Sequence, residues 1–219
     1  EGQPKYPGRK VPGLKPKDLI GIPWMVALAL RNDGWYLRSD IVWHKPNAMP
    51  ESVTDRPTRA HEYIFLLSKS PKYYYDYEAI KEPAAYDGRK DTLLKGSPKY
   101  EKGVVPGQVE HSMAAKGHER WKKNERGEYV RNKRSVWTVP TKPFPEAHFA
   151  VYPPALITPC ILAGCPVGGT VLDPFAGSGT TLLVATQHHR KSIGIELNPE
   201  YIEIAKRRLN SVQLKLVME

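Results

Sequence analysis

The stretch that decides the fold is "VLDPFAGSGTTLLVATQHHRKSIGIELN", residues 171–198. An apolar run ends in an acid, a glycine turn follows, and a helical segment leads to a second apolar run that also ends in an acid. The next residues, "NPEYIEIAKRRL", predict a second helix with Asn198 as its cap and Pro199 at its first position. This strand–helix–strand–helix order predicts an α/β fold with a mostly parallel sheet.

The glycine turn predicts a site for a nucleotide-like ligand. Gly177 and Gly179 let the backbone pass close to a ligand, and Ser178 and Thr180 lead into a helix whose free N–H groups can meet a polar group. A phosphate loop is excluded because no lysine follows the second glycine. The dinucleotide fingerprint is also incomplete, because position 182 is Leu where the pattern needs Gly or Ala.

Two acids and an aromatic residue identify the ligand. Glu196 ends the second strand, 17 residues beyond Gly179, near the spacing at which an acid reaches a ribose diol. Asp173, two residues before Phe175, repels a pyrophosphate but favours an ammonium or a sulfonium group. S-adenosylmethionine carries both of these cations and no phosphate, so it is the cofactor that we predict. The alternatives are NAD as the ligand and, for Glu196, a surface acid at a strand end.

The charge of the chain predicts a nucleic-acid partner. Thirty-three Lys and Arg against 23 Asp and Glu give a net charge of +10, which attracts polyanions; solubility alone is the alternative. Between Tyr86 and Ser135 there are 13 Lys or Arg against 7 Asp or Glu, so most of the excess lies there. Tyrosines and tryptophans in and around this segment favour an inserted recognition module over a poorly ordered basic loop.

Upstream of this basic segment, the pattern predicts a helix and two strands. Apolar residues recur at helical spacing from Lys15 to Arg31. "WYLRSDIVWHKP" and "HEYIFLLSKS" then predict an antiparallel pair of strands at the edge of a sheet. The two cysteines form neither a disulfide framework nor a zinc spacing, and no run approaches the ~18 apolar residues of a membrane span. We therefore expect a cytoplasmic protein.

Three separated segments resemble one enzyme family. "DPFAGSGTT" followed by "GIELNPEYIEIAKRRL" resembles the amino-methylating DNA methyltransferases, which modify the exocyclic nitrogen of cytosine or adenine. "GWYLRSDIVWHKPNAMPESVTDRPTRAHEYIFLLSKS" and "VWTVPTKPFPEAHFAVYPPALITPCILAG" are similar to further segments of that family. The motif order resembles the subgroup whose catalytic half precedes its cofactor half. The resemblance implies a Rossmann-like sheet with an antiparallel edge pair and an inserted basic recognition region.

The resemblance also implies an organisation of the chain and a partner. Residues 1–70 would be part of the catalytic half, residues 71–137 the target-recognition region, and residues 138–219 the S-adenosylmethionine-binding half. The partner would be double-stranded DNA, in a restriction–modification or phage system of a bacterial, archaeal or phage-infected cell. A noncatalytic DNA-binding module and a nicotinamide oxidoreductase are the alternative classes.

The resemblance implies three sets of site residues. The cofactor would contact Asp173, Phe175, Gly177, Ser178, Gly179, Thr180, Glu196, Phe149, Ala150 and Pro153. The pocket for a base flipped out of the duplex would be lined by Trp43, Lys45 and Asn47. DNA phosphates would be contacted by Arg56, Arg59, His61, Lys122, Lys123 and Arg126. The alternatives are ordinary packing for Phe149, Pro153 and Trp43, and a solvated basic loop for the arginines that follow the first strand.

The family's catalytic tetrapeptide, Asp/Asn/Ser-Pro-Pro-Tyr/Phe, has no match in the sequence. "DPFA" at 173 lacks the second proline, and "YPPA" at 152 has other residues on both sides. The family order places the tetrapeptide upstream of Lys15, so we expect a chain without the first strands and catalytic loop, either a fragment or half of a split enzyme. We assign no catalytic residue. "AHFAVYPPAL" looks more like the cytosine-N4 members than the adenine-N6 members, which remain the alternative.

Overall fold

The structure is a computed structural model that describes residues 13–15, 17–84, 122–124, 126–142 and 151–218. Its helices are α1 (Ile22–Asn32), α2 (Pro154–Gly164), α3 (Thr180–Gln187) and α4 (Pro199–Met218). Its strands are β1 (Tyr36–His44), β2 (His61–Ser68), β3 (Glu82–Pro83), β4 (Lys122–Lys123), β5 (Tyr129–Arg131), β6 (Val136–Thr138), β7 (Thr170–Asp173) and β8 (Lys191–Gly194).

The first layer is a sheet with the strand order β2-β1-β6. β1 and β2 are antiparallel along their whole length, as the sequence predicts, and β2 lies at an edge. β6 pairs with β1 in parallel and spans position 137, where we expect the recognition region to end. The aromatic ring of Trp24 on α1 contacts Tyr63 and Phe65 of β2 edge-on, with ring centroids 5.3 and 4.8 Å apart. This contact holds α1 against the sheet.

Helix α1 begins later than the apolar spacing predicts. The spacing starts at Lys15, whereas the helix starts at Ile22. Gly21, with a φ of 73°, takes a left-handed conformation at the cap, and Pro23 follows in the first turn, where its missing N–H costs nothing. The backbone therefore fixes the start of this helix, and the apolar periodicity does not.

The second layer is the predicted strand–helix–strand–helix unit. β7 and β8 are parallel, with Thr170 opposite Lys191 and Asp173 opposite Gly194. The side chain of Asn198 accepts a hydrogen bond from the N–H of Glu200 at 2.9 Å, so it caps α4 as expected. Both sequence predictions for this segment are confirmed.

Helix α2 joins the two layers. Its Leu156 packs with Trp43 and Trp137 of the first sheet. One and a half turns later, Ile161 packs with Val184 of α3 and Val171 of β7. Because each of these clusters excludes water from apolar side chains, α2 fixes the glycine-turn unit relative to the antiparallel pair.

The described strands form three separate sheets, whereas we expect one mostly parallel sheet. β7 pairs with β8 alone, and the short strands β3, β5 and β4 form an antiparallel sheet within the expected recognition region. Both β2 and β7 therefore have one edge without a strand partner in the described part of the chain. Residues 85–121 of the expected recognition region lie outside it.

Across the described residues, no helix combines the length and the apolar character needed to cross a membrane.

Candidate functional site

The two glycines of the turn have different surroundings. Gly177 and Gly179 both have a positive φ, 52° and 77°, which residues with a side chain rarely adopt. A Cβ atom at Gly177 would have no neighbour within 4 Å, whereas a Cβ atom at Gly179 would lie 2.8 Å from the Cβ of Ala205 on α4. Gly177 therefore borders open space where a ligand can approach, and Gly179 is needed for packing.

Glu196 ties the turn to the end of β8. One carboxylate oxygen accepts the N–H of Gly177 at 2.8 Å, and the other accepts the N–H groups of Leu197 and Asn198, each at 2.8 Å. These hydrogen bonds, that of Asn198 foremost, hold the pKa of Glu196 below its ordinary value. A carboxylate has about four lone-pair directions, so one remains for a ligand hydroxyl.

Asp173 is the centre of a second polar cluster, on the other side of the turn. Its Oδ1 accepts the N–H of Phe175 at 3.0 Å, and its Oδ2 accepts the hydroxyls of Thr181 at 2.5 Å and Tyr152 at 3.2 Å. The hydroxyl oxygens of Tyr152 and Thr181 also lie within hydrogen-bond distance of each other, so the two hydroxyl protons are shared among the three contacts. Burial, with a contribution from the charge of Asp173, raises the pKa of Tyr152 to about 12. The phenol therefore stays a proton donor to the carboxylate at neutral pH.

Tyr152 and Thr181 are site residues that the sequence prediction lacks. They lie 29 residues apart in the chain and meet only because α2 packs against the start of α3. The signals present in the sequence are the second threonine after the turn and the tyrosine before the two prolines. Neither signal indicates that their hydroxyls share one carboxylate.

Ser178 and Thr180 direct their hydroxyls away from the open side of the turn. Both residues are buried, and both hydroxyls accept hydrogen bonds from Nη1 of Arg208 on α4, at 2.9 and 3.2 Å. In this arrangement the side chains of both residues are engaged by Arg208, and their contact with the cofactor stays a prediction. Arg208 is a further residue that the sequence prediction lacks.

We call the open side of Gly177 the crevice. Two apolar side chains close to it in the chain are open to solvent, since Phe175 is 88% exposed and Leu197, next to Glu196, is 94% exposed. Pro153 is buried at the start of α2, as the packing alternative expects. The predicted contacts Phe149 and Ala150 lie outside the described residues.

The structure places Trp43 in the core, as the packing alternative expects, and not on an open pocket. It is 5% exposed, and its indole N–H donates to the carbonyl of Val139 at 2.8 Å. Lys45 pairs with Glu62 and lies over the Trp43 ring, 4.3 Å from its centroid. The polar groups of both side chains therefore have intramolecular partners, and their contact with a flipped base stays a prediction.

Asn47 also serves a structural contact. Its side-chain amide donates to the carbonyl of Thr141 and accepts the N–H of the same residue, both at 2.9 Å. The pair of hydrogen bonds fixes the segment after β6 beside the end of β1. A base contact by this amide would require one of these bonds to break, and the expected pocket role stays a prediction.

The predicted phosphate-contacting residues are spread over two surfaces. Arg56 and Arg59 are exposed in the loop between β1 and β2, where Arg56 pairs with Glu51 at 2.7 Å. His61 begins β2, with Nε2 lying 3.4 Å from the hydroxyl of Tyr63. Arg126 is exposed in the turn between β4 and β5, and Lys122 and Lys123 form β4. The side chains of these two lysines lie outside the described residues.

A groove of about 660 Å³ runs between the β2-β1-β6 sheet and the β7-β8 sheet, with α2 beside it. Its walls include Ile64 of β2 and Val171 and Leu172 of β7, and it reaches Asp173 and Tyr152. The groove therefore connects the polar cluster with β2 and β7.

Replacing Tyr152 with phenylalanine is expected to lower the free energy of unfolding by about 1 kcal/mol at pH 7, since Thr181 still donates to Asp173. Because the pKa of Tyr152 is raised in the folded protein, its neutral hydroxyl stabilises the folded state fully at pH values below the ordinary pKa of 10.0. This stabilisation is lost as the pH rises toward about 12. Urea unfolding at pH 7 and pH 11 checks this, and the difference between the two proteins should shrink at pH 11. An unchanged difference would contradict the hydrogen-bonded, neutral phenol.

The family model described as DNA methylase, N6_N4_Mtase, matches residues 7–207 of the chain. The Type II methyltransferase M.SmaI of Serratia marcescens is 51% identical over 197 residues, which cover 90% of this chain and 54% of the relative. The Type II methyltransferase M.Cfr9I of Citrobacter freundii is 50% identical over 205 residues, which cover 94% of this chain and 55% of the relative. The chain thus spans about half the length of the curated relatives that it matches.

Two solved structures have the same fold. The PvuII DNA methyltransferase (cytosine-N4-specific) superposes with a TM-score of 0.58 at 18% identity, covering 91% of this chain and 60% of that chain. The M1.HpyAVI–SAM complex superposes with a TM-score of 0.53 at 23% identity, covering 88% of this chain and 72% of that chain. Despite their separate sheets, the described residues therefore have the Rossmann-like α/β arrangement of these enzymes.

Proposed function

The chain belongs to the DNA methylase family, and we propose that it is the S-adenosylmethionine-binding part of a site-specific DNA amino-methyltransferase. The observation that carries the proposal is the crevice at Gly177. There the position of a side chain at Gly177 is open, the N–H of Gly177 donates to the carboxylate of Glu196, and the carboxylate of Asp173 lies beside the turn.

The surroundings of the crevice fit S-adenosylmethionine. The free lone-pair direction of Glu196 suits a ribose hydroxyl, and Phe175 and Leu197 offer apolar surface to an adenine ring. The carboxylates of Asp173 and Glu196 favour a sulfonium and an ammonium group. NAD, the alternative ligand, carries a pyrophosphate, which the carboxylate of Asp173 repels.

The bound cofactor supplies an activated methyl group, which an exocyclic amino nitrogen of a base accepts. In this chain Gly177, Asp173 and Glu196 hold and orient the cofactor. The hydroxyls of Tyr152 and Thr181 keep the Asp173 carboxylate fixed beside the turn. We assign no residue of this chain a role in the attack of that nitrogen on the methyl group.

We propose that a further polypeptide segment carrying the catalytic tetrapeptide fills the groove between β2 and β7, either from the same protein or from a partner half. Two features support this proposal. Strand edges without a partner among the described residues border the groove, and such edges accept an added strand through backbone hydrogen bonds. The groove also reaches Asp173, so a loop following an added strand would arrive beside the cofactor crevice.

We propose the organisation that the sequence suggests, with residues 1–70, 71–137 and 138–219 as partial catalytic half, recognition region and cofactor half. We further propose cytosine-N4 as the modified position, on the similarity of "AHFAVYPPAL" to that branch. Adenine-N6 is the second candidate. Single-molecule sequencing of DNA from cells that express the full gene tests both. N4-methylcytosine in one sequence context is the expected result, N6-methyladenine selects the alternative, and unmodified DNA would reject the methyltransferase.

Duplex DNA is the proposed partner, and the basic residues of the recognition region give a direct prediction. Replacing Lys122, Lys123 and Arg126 with alanine should reduce the slope of log affinity against log salt by about one unit for each phosphate that the variant no longer neutralises. The measurement is DNA binding over a series of salt concentrations. A control that removes three positive charges elsewhere, at Lys69, Lys191 and Lys206, should change the slope much less. Equal slopes for wild type and the recognition-region variant would show that those charges contact no phosphate.

A further inference from the structure

We propose that Arg208 is a positioning residue for the cofactor, acting through the glycine turn without touching the ligand. The proposal rests on the proposed function of the turn as the S-adenosylmethionine site. It assigns a role in cofactor binding to a residue of α4, a helix that lies behind the turn.

The guanidinium of Arg208 binds the turn at three acceptors. Its Nη1 donates to the carbonyl oxygen of Ser178 at 2.6 Å, to the hydroxyl of the same residue at 2.9 Å, and to the hydroxyl of Thr180 at 3.2 Å. Arg208 follows Ser178 by 30 residues, so the contact joins elements that are distant in sequence. A charged donor makes stronger hydrogen bonds than a neutral one, and these bonds fix the turn from its buried side.

The burial of the acceptors makes this contact difficult to replace. Ser178 is 3% exposed and Thr180 is 4% exposed, so water cannot reach their oxygens in the present conformation. A buried acceptor that loses its donor is costly, because it keeps the desolvation penalty without a hydrogen bond. Without the guanidinium, we expect the turn to rearrange until these oxygens meet water.

A second residue on the same face of α4 packs against Gly179, which lies between Ser178 and Thr180. Ala205 lies three positions before Arg208, on the same side of the helix, and its Cβ occupies the space that a side chain at Gly179 would need. Glu196 holds the opposite end of the turn through the N–H of Gly177. The turn is therefore fixed from the α4 side at 178–180 and from the β8 side at 177, and only the open side of Gly177 faces the ligand.

The test compares Arg208→Ala and Arg208→Lys with Lys206→Ala in the full chain. Lys206→Ala is a matched control because it removes one positive charge from the same helix, where Lys206 pairs with the exposed Glu203. The measurements are the affinity for S-adenosylhomocysteine by calorimetry, urea unfolding, and the affinity in the presence of added guanidinium ion at concentrations that leave the wild type folded.

We expect Arg208→Ala to weaken the affinity roughly tenfold, the equivalent of about 1.4 kcal/mol, and guanidinium to restore a large part of it. Sodium chloride at the same concentration should not restore it. Arg208→Lys should show a smaller loss, since lysine keeps a positively charged donor but lacks the planar fork of the guanidinium. Lys206→Ala should bind like the wild type.

The outcomes separate this inference from the proposed function. A wild type that binds no S-adenosylhomocysteine would reject the proposed function itself. A wild type that binds, together with Arg208→Ala at unchanged affinity, would overturn only the role of Arg208. A loss of affinity that guanidinium does not restore would also overturn it, since Arg208 would then act through general stability. If Arg208→Ala does not fold, Arg208→Lys decides, and wild-type affinity in that variant would overturn the inference.

Discussion

Replacing Gly179 with alanine is expected to lower the free energy of unfolding by about 2 to 5 kcal/mol. The left-handed backbone, with a φ of 77°, costs a residue with a Cβ about 1–2 kcal/mol. The new Cβ would also lie 2.8 Å from the Cβ of Ala205, and such overpacking typically costs about 1–3 kcal/mol. Urea unfolding followed by circular dichroism measures the change.

Gly177→Ala is the matched control for this prediction. Its φ of 52° carries the same backbone cost of about 1–2 kcal/mol, but no atom lies within 4 Å of the new Cβ. We therefore expect less destabilisation than at Gly179 but a clear loss of S-adenosylhomocysteine affinity, because the added methyl group projects into the crevice. Equal destabilisation by the two variants would show that Ala205 does not confine the turn.

Replacing Glu196 with alanine is expected to weaken S-adenosylhomocysteine binding by on the order of tenfold to a hundredfold. The change removes the proposed ribose acceptor and also releases the N–H of Gly177, which the carboxylate now holds at 2.8 Å. Calorimetric titration of the wild type and the variant measures the loss. Unchanged affinity would show that the ribose is held elsewhere.

Glu196→Gln and a pH series refine this test. Glutamine keeps one oxygen acceptor but brings an amide NH₂ toward the backbone donors, so its affinity should lie between those of the other two proteins. Because the pKa of Glu196 is lowered in the folded protein, its contribution to folding stability is complete above the ordinary value of 4.5 and is lost as the pH falls through the lowered pKa. Protonation in the same pH range removes the carboxylate that we expect to accept the ribose hydroxyl. Wild-type affinity should therefore decline at acid pH more than that of Glu196→Gln, which has no carboxyl group to protonate.

Local sequence signals predict the elements around the crevice well. The strand–helix–strand–helix unit and the cap at Asn198 follow from residues that are close together in the chain, and the structure has both. The antiparallel pairing of β1 and β2 also agrees, because aromatic and β-branched residues specify two successive strands of similar length. The start of α1 at Ile22 was not predictable in this way, since periodicity carries no information about where the backbone begins a helix.

The side chains around the site depend on packing between distant segments, which the sequence pattern does not contain. The sequence is equally compatible with Trp43 in a pocket and in the core, and only the packing of α2 and β6 over it decides. Tyr152 reaches Asp173 only through the position of α2. Arg208 is one of three consecutive basic residues in the middle of α4, and its hydrogen bonds to Ser178 arise only from the packing of this helix against the turn.

The most direct test of the proposed cofactor site is a crystal structure of the full chain with S-adenosylhomocysteine. We predict the ribose at Glu196, the homocysteine portion beside Gly177 and Asp173, and the adenine against Phe175 or Leu197. Density for the compound at another place, with the crevice at Gly177 empty, would contradict the assignment of this crevice to the cofactor.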